Sequence, residues 1–287
     1  MNSILDAINQ WIKNLLIDGI MGNVDGMFDS INTEVANAAT QVGMTPSAWN
    51  DGVFSMIQNL SDSVIMPIAS LILTYVMCYE LIQMIIDRNN MHDFPPSDIF
   101  KWIMKTFIAV MIVTNTFTII MAIFDVSQTV VNNAAGVIIS DTAIGDDVLS
   151  NFKTSLEAQA VGYLLGLYLQ SFLVSFGMKI LGICIFIIVY GRMLEIYLMT
   201  SLGAIPLSTI QSKEWNIGNN YIKSILALAF QAFLMMVCIG IYAVLIQSVV
   251  TSGEPMTAIW TCVGYTVLLS FTLFKTSSIS KSIFGSH

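Results

Sequence analysis

The run from Ala158 to Tyr190 constrains this chain more than any other stretch. It is almost wholly apolar and carries a single charge, Lys179. A helix of about 20 apolar residues crosses the ~30 Å hydrocarbon core of a bilayer. In lipid, only a helix or a closed barrel satisfies its own backbone donors and acceptors. Shorter apolar runs surround this one, at about Val64–Ile86, Trp102–Phe124, Tyr221–Val249 and Thr257–Phe274. Only 10% of the chain is charged and 55% is hydrophobic, with mean hydropathy +0.75. Soluble domains carry about 25% charged residues. The expected fold is therefore all-α: a polytopic integral membrane protein of about five transmembrane helices. An N-terminal amphipathic helix and a cytoplasmic interfacial segment complete it. Residues 1–60 are expected to form an extracytoplasmic N-terminal region. Residues 61–287 then form the transmembrane domain, with spans near 64–86, 102–124, 158–190, 221–249 and 257–274.

The run 158–190 could be one long tilted span or two short ones turning near Lys179. Two short spans would place Arg192 and Glu195 in mid-bilayer, at about 2.5–3.5 kcal/mol for each charge. One long span leaves both at the interface, and that reading is preferred. Ala158, Gly162 and Gly166 recur at four-residue steps within it, a small-residue stripe suited to close helix packing. Such stripes also arise by chance in apolar helices.

The N-terminus is not a secretory signal, because it lacks a basic start and a continuous apolar core. Ile4, Leu5, Ile8, Trp11, Ile12, Leu15 and Leu16 recur at helical steps, with Asp6, Asn9, Gln10, Lys13 and Asn14 on the other face. That is an amphipathic helix, lying on a membrane, on a partner or on this protein's own spans. Residues 21–44 are polar, small and glycine-rich. Thr45-Pro46 then reads as a helix N-cap with proline at the first position, leading into the first span, where Pro67 introduces a kink. Residues 87–98 form a polar turn, and Ser97 is suited to cap the next helix. Residues 125–157 form a second polar stretch, acidic at Asp141, Asp146 and Asp147.

Basic residues fall unevenly. Arg88, Lys101, Lys105, Arg192, Lys213, Lys223, Lys275 and Lys281 lie on one side of the five-span arrangement, and only Lys13 and Lys153 lie on the other. The positive-inside rule makes the richer side cytoplasmic, with the N-terminus outside and the C-terminus inside. The net charge of −8 is then largely external, and it argues against a freestanding nucleic-acid binder.

No phosphate loop, H-E-x-x-H or serine elbow is present, so no catalytic activity is expected. The cysteines, Cys78, Cys184, Cys238 and Cys262, sit inside apolar runs without C-x-x-C spacing and read as small buried hydrophobes. No metal site and no cofactor are expected. Glu80 and Lys179 are the charges placed within spans. Intramembrane charges are functional by default, and the two could pair between the first and third spans. Alternatively each snorkels to the interface.

The most informative polar stretch is Gly191–Ser224. Arg192 and Glu195 are three apart, so on a helix they can pair. Pro206 removes a backbone donor and ends or kinks the helix. The order Arg192-x-x-Glu195, Gly203-Ala204-x-Pro206-Leu207, Trp215-x-x-Gly218, Tyr221-x-Lys223 and Phe230-Gln231 resembles the TrbL-like family of conjugal transfer proteins. These are polytopic membrane channel subunits of type IV secretion systems, and the likeness is greatest to those of Gram-positive mobile elements. It covers about Gly191 to Gln231; elsewhere only the layout corresponds. The external loop is short, and the large C-terminal extension of some members is missing.

The resemblance implies a scaffold and conduit in the cytoplasmic membrane that supports passage of single-stranded DNA with its relaxase. It implies self-assembly, contacts with other secretion membrane subunits, and secretion or coupling ATPases at the cytoplasmic face. Two other readings stand beside it. A small-solute transporter would need an internal repeat or paired broken helices, and one broken helix without a repeat is seen. A lytic pore-forming protein would damage its host on expression alone.

Overall fold

The computed structural model describes residues 2–86, 96–138, 146–212, 214–250 and 255–286. Every regular element among them is helical. In chain order these are α1 (Asn2–Val42), α2 (Pro46–Trp49), α3 (Asp51–Leu60), a π turn at Ser61–Ile65, α4 (Met66–Ile86), α5 (Pro96–Thr114) and α6 (Thr116–Ile138). They are followed by α7 (Asp146–Glu157), α8 (Val161–Ser201), α9 (Ala204–Leu207), α10 (Ile217–Val250) and α11 (Pro255–Phe284). Four stretches are long and apolar enough to cross a membrane: Asp51–Ile86, Val161–Ser201, Ile217–Ile246 and Trp260–Phe284. The pair α5 and α6 would be a fifth if its two halves form one broken span. The protein is an all-α, multi-pass membrane protein.

The chain divides into two compact units. The first holds Met1–Val42, Asn133–Tyr190 and Met235–Lys275. Its α1 is 41 residues long, about 60 Å at 1.5 Å per residue. Sequence composition marked residues 21–44 as polar and glycine-rich, yet the helix runs on to Val42. The reason is a continuous apolar stripe, Ile17, Ile20, Val24, Met27, Ile31, Val35, Ala38 and Val42, all buried. Burying that stripe outweighs the roughly 1 kcal/mol that each of Gly22 and Gly26 costs a helix. α1 lies along α8. Asn23 Nδ2 donates to Ser171 Oγ at 3.1 Å. Gly19 lies against the Tyr168 ring, and Gly182 against the Glu34 side chain. These matches advance together, so α1 and α8 run parallel. Also in this unit, Tyr242 and Thr266 hydroxyls share a buried hydrogen bond of 3.1 Å between α10 and α11.

The second unit holds Gly43–Asn132, Gly191–Leu234 and Thr276–His287. Thr45 caps α2 as its spacing suggests, accepting from Ala48 N at 3.2 Å. The helix stops there, because Asn50 caps a new one, accepting from Val53 N at 2.9 Å. The π turn Ser61–Ile65 immediately precedes Met66-Pro67. A widened turn gives the proline ring room and absorbs its missing donor within a continuing helix. Ser97 is not a cap: α5 begins one residue earlier, with Pro96 in the first turn.

The second expected span, 102–124, is not one straight helix. The axes of α5 and α6 differ by 70° across Asn115. Thr114 Oγ1 donates to Val110 O, Asn115 Nδ2 to Met111 O, and Thr116 Oγ1 to Ile112 O. Three consecutive side chains bonding back one turn compete with the backbone ladder and bend it. The run 158–190, by contrast, is one continuous helix, α8, which extends to Ser201. The broken segment therefore starts at Leu202.

Candidate functional site

The segment between α8 and α10 forms the centre of the second unit. The chain turns at Leu202 and Gly203, makes the single turn α9, and continues in tight turns to Asn216. A Cβ at Gly203 would meet Ile120 Cδ1 and Tyr221 Oη, both at 2.6 Å. One at Gly218 would meet the backbone: Ile210 Cα at 2.7 Å, and Ile210 N and Pro206 O at 2.9 Å. Close approach of backbone dictates glycine at 218, whereas the neighbours at Gly203 are side-chain ends. Pro206 O accepts from Thr209 Oγ1 at 2.8 Å, and Thr209 Oγ1 in turn accepts from Gly218 N at 3.2 Å. Tyr221 Oη donates to Met199 O at 2.8 Å, tying the start of α10 to the last turn of α8. Leu207 is buried with Ile120, Phe124, Met193, Ile196 and Tyr221. The motif residues Gly203, Pro206, Leu207, Gly218 and Tyr221 thus hold one fixed break. Lys223 is exposed on the first turns of α10.

The expected ion pair between Arg192 and Glu195 is replaced by two other contacts. Arg192 is 6% exposed and donates from Nη2 to Leu228 O at 3.4 Å, and its Nε has no partner. Glu195 lies on the more exposed flank of α8, with Oε1 3.5 Å from Lys281 Nζ. Three residues of helix separate the side chains by about 60° in azimuth. Here one points into the core and the other toward the end of α11. Lys281 is the partner that local spacing could not reveal.

Trp215 stacks on Tyr75 with ring centroids 6.1 Å apart. One turn further along α4, Tyr79 Oη donates to Glu214 Oε2 at 2.9 Å and accepts from Gln83 Nε2 at 2.8 Å. These two contacts separate surfaces of opposite character. On one side an apolar groove is lined by Leu71, Ile72, Ile205, Pro206, Trp215 and Ile217. On the other, a cavity of about 340 Å³ is lined by Glu80, Asp98, Lys101, Lys105, Gln211 and Glu214, among others. Asp98 is buried at 8% exposure and lies 3.2 Å from Lys101 Nζ. Trp102 Nε1 donates to Met77 O at 3.2 Å, fixing α5 against α4.

Glu80 is thus part of a polar cavity at the end of α4. Lys179 sits on an exposed face of α8 in the first unit. Gly162 and Gly166 also face outward on α8, with no atom within 4 Å of a Cβ built on either. Ala158 lies in the turn before α8, outside the stripe. Lys213, Arg88, Asp141 and residues 87–95 of the expected polar turn lie outside the described residues, as do the side chains of Asp146 and Asp147. Sequence reasoning missed Tyr79, Asp98 and Glu214. Their signal, a tyrosine one turn from a second tyrosine and a carboxylate beside Trp215, acquires meaning only once α4 meets the break. No group of residues able to hold a metal ion is found among the described residues.

A model of the TrbL/VirB6 plasmid conjugal transfer like protein family matches residues 31–204. The match contains Arg192, Glu195, Gly203 and Ala204; Pro206, Trp215, Gly218 and Tyr221 lie beyond it. No curated protein and no solved structure matches the chain. The match takes in more than half of the chain and fits its helical, membrane-crossing build: the chain belongs to the TrbL/VirB6-like family of plasmid conjugal transfer proteins.

Proposed function

We propose that this chain is a scaffold and conduit subunit of a type IV secretion machine in the cytoplasmic membrane. Several copies assemble with other membrane subunits and support passage of single-stranded DNA with its relaxase. The chain carries out no catalysis itself, and partner ATPases supply the energy. Its N-terminus is outside and its C-terminus is in the cytoplasm.

The observation that carries this reading is the fixed break at Leu202–Asn216 and the cavity beside it. Lys101 and Lys105 line that cavity with Gln211 and Glu214. Two of the segments assigned to the cytoplasmic side by charge meet at this cavity, which supports placing them on one side. Half-exposed aromatic and charged groups on a rigid turn suit recognition of a protein partner. We assign this surface to a secretion or coupling ATPase.

Affinity purification of the tagged chain from donor cells tests the assignment. Trp215→Ala and Glu214→Ala should each reduce the co-purified ATPase while the chain stays in the membrane fraction. Lys223→Ala, exposed but outside the cavity, should not. Undiminished ATPase with both Trp215→Ala and Glu214→Ala would refute it.

A further inference from the structure

We propose that α1 crosses the membrane alongside α8, and that its outward polar stripe lines a water-filled path enclosed by several copies of this chain. The proposal rests on the conduit reading above and adds which helix faces the path.

Three contacts fix α1 against α8 in one parallel register: Gly19 with Tyr168, Asn23 with Ser171, and Glu34 with Gly182. The stretch of α8 so matched is the most apolar in the protein. It turns Leu169, Phe172, Leu173, Phe176, Ile180 and Ile183 outward, with Lys179 exposed among them on a long stem that can carry its ammonium toward water. Such a surface belongs in lipid. Residues 19–34 of α1 then lie at bilayer depth. Their apolar stripe is buried, while Asp25, Asp29 and Thr33 are exposed along the opposite face.

Carboxylates at that depth do not face lipid; they face protein or a water-filled cavity. At about 60 Å, α1 is long enough to cross. It does not rank among the apolar spans because one of its faces is polar. One chain leaves this stripe open, so enclosing it takes further copies.

Crossing by α1 moves residues 43–60 from the outer side, where sequence alone places them, to the inner one.

Cysteine labelling in donor cells carrying the whole machine tests this, starting from a variant with Cys78, Cys184, Cys238 and Cys262 replaced by alanine. The probe is a membrane-impermeant maleimide. Asp25→Cys, Asp29→Cys and Thr33→Cys should label, whereas Leu173→Cys, Phe176→Cys and Ile180→Cys should not. Ile4→Cys should label from outside, and Ser47→Cys only after the cells are permeabilised. Labelling of both helices would place this part of α8 outside the bilayer and overturn the proposal. Silence of the α1 stripe, or labelling of Ser47→Cys from outside, would overturn it equally. None of these readouts depends on DNA transfer, so a failure here is separable from failure of the conduit reading.

Discussion

Gly218→Ala should destabilise the second unit, although alanine is the better helix former. The added methyl would stand 2.7 Å from Ile210 Cα and 2.9 Å from Ile210 N and Pro206 O. All three are backbone atoms, so no side chain can rotate out of the way. Overpacking of this kind costs about 1–3 kcal/mol. Shifting the turn would also stretch the Gly218 N to Thr209 Oγ1 bond, worth about 1 kcal/mol. The propensity gain of up to about 1 kcal/mol is smaller at the first turn of α10, where few helical bonds depend on it. The net loss is about 2 kcal/mol, or an apparent Tm lower by about 3 °C at about 2.1 cal/mol/K per residue. Gly166→Ala is the matched control. Its Cβ meets nothing within 4 Å in mid-helix, so it should raise Tm by a few degrees. Melting of the detergent-purified protein followed by size-exclusion chromatography measures both. Equal Tm for Gly218→Ala and wild type would refute the close approach of α10 to the broken segment.

Three further outcomes follow from the same unit. Tyr221→Phe removes the bond to Met199 O and should lower stability by about 0.5–1.5 kcal/mol in the same melting assay; no change would mean that the bond does not tie α10 to α8. A double-mutant cycle should give Glu195→Ala and Lys281→Ala a small coupling, about 0.2–1 kcal/mol, and Glu195→Ala with Arg192→Ala a smaller one; the reverse order would restore the local pair. Arg192→Met, which keeps the volume and removes an incompletely bonded buried charge, should be as stable as wild type or more so, whereas Arg192→Ala should lose stability; equal losses would show that the charge itself is needed.

Much of this architecture is legible in the sequence because lipid imposes so strict a demand. Apolar runs marked the long helices, and most of the run Ala158–Tyr190 lies in the single helix α8, Val161–Ser201. Pro206 with two glycines marked the break. What stayed hidden depends on neighbours distant in sequence. The continuation of α1 past residue 20 is set by the buried stripe from Ile20 to Val42, which glycine-rich composition obscures. The bend at Asn115 comes from polar side chains bonding to carbonyls within an apolar run that hydropathy reads as uniform. The partner of Glu195 lies near the other end of the chain. Tyr79 and Glu214 met only because α4 packs beside the broken turn.

The central claim is that this chain is a working part of a conjugal transfer machine. Mating frequency tests it most directly, using a donor from which the gene has been deleted without disturbing its neighbours. The account predicts that transfer of the mobile element falls below detection and returns when the wild-type chain is supplied in trans. Supplying the Trp215→Ala chain, at equal membrane abundance, should restore only part of it. Transfer at the wild-type frequency from the deletion donor would contradict the account.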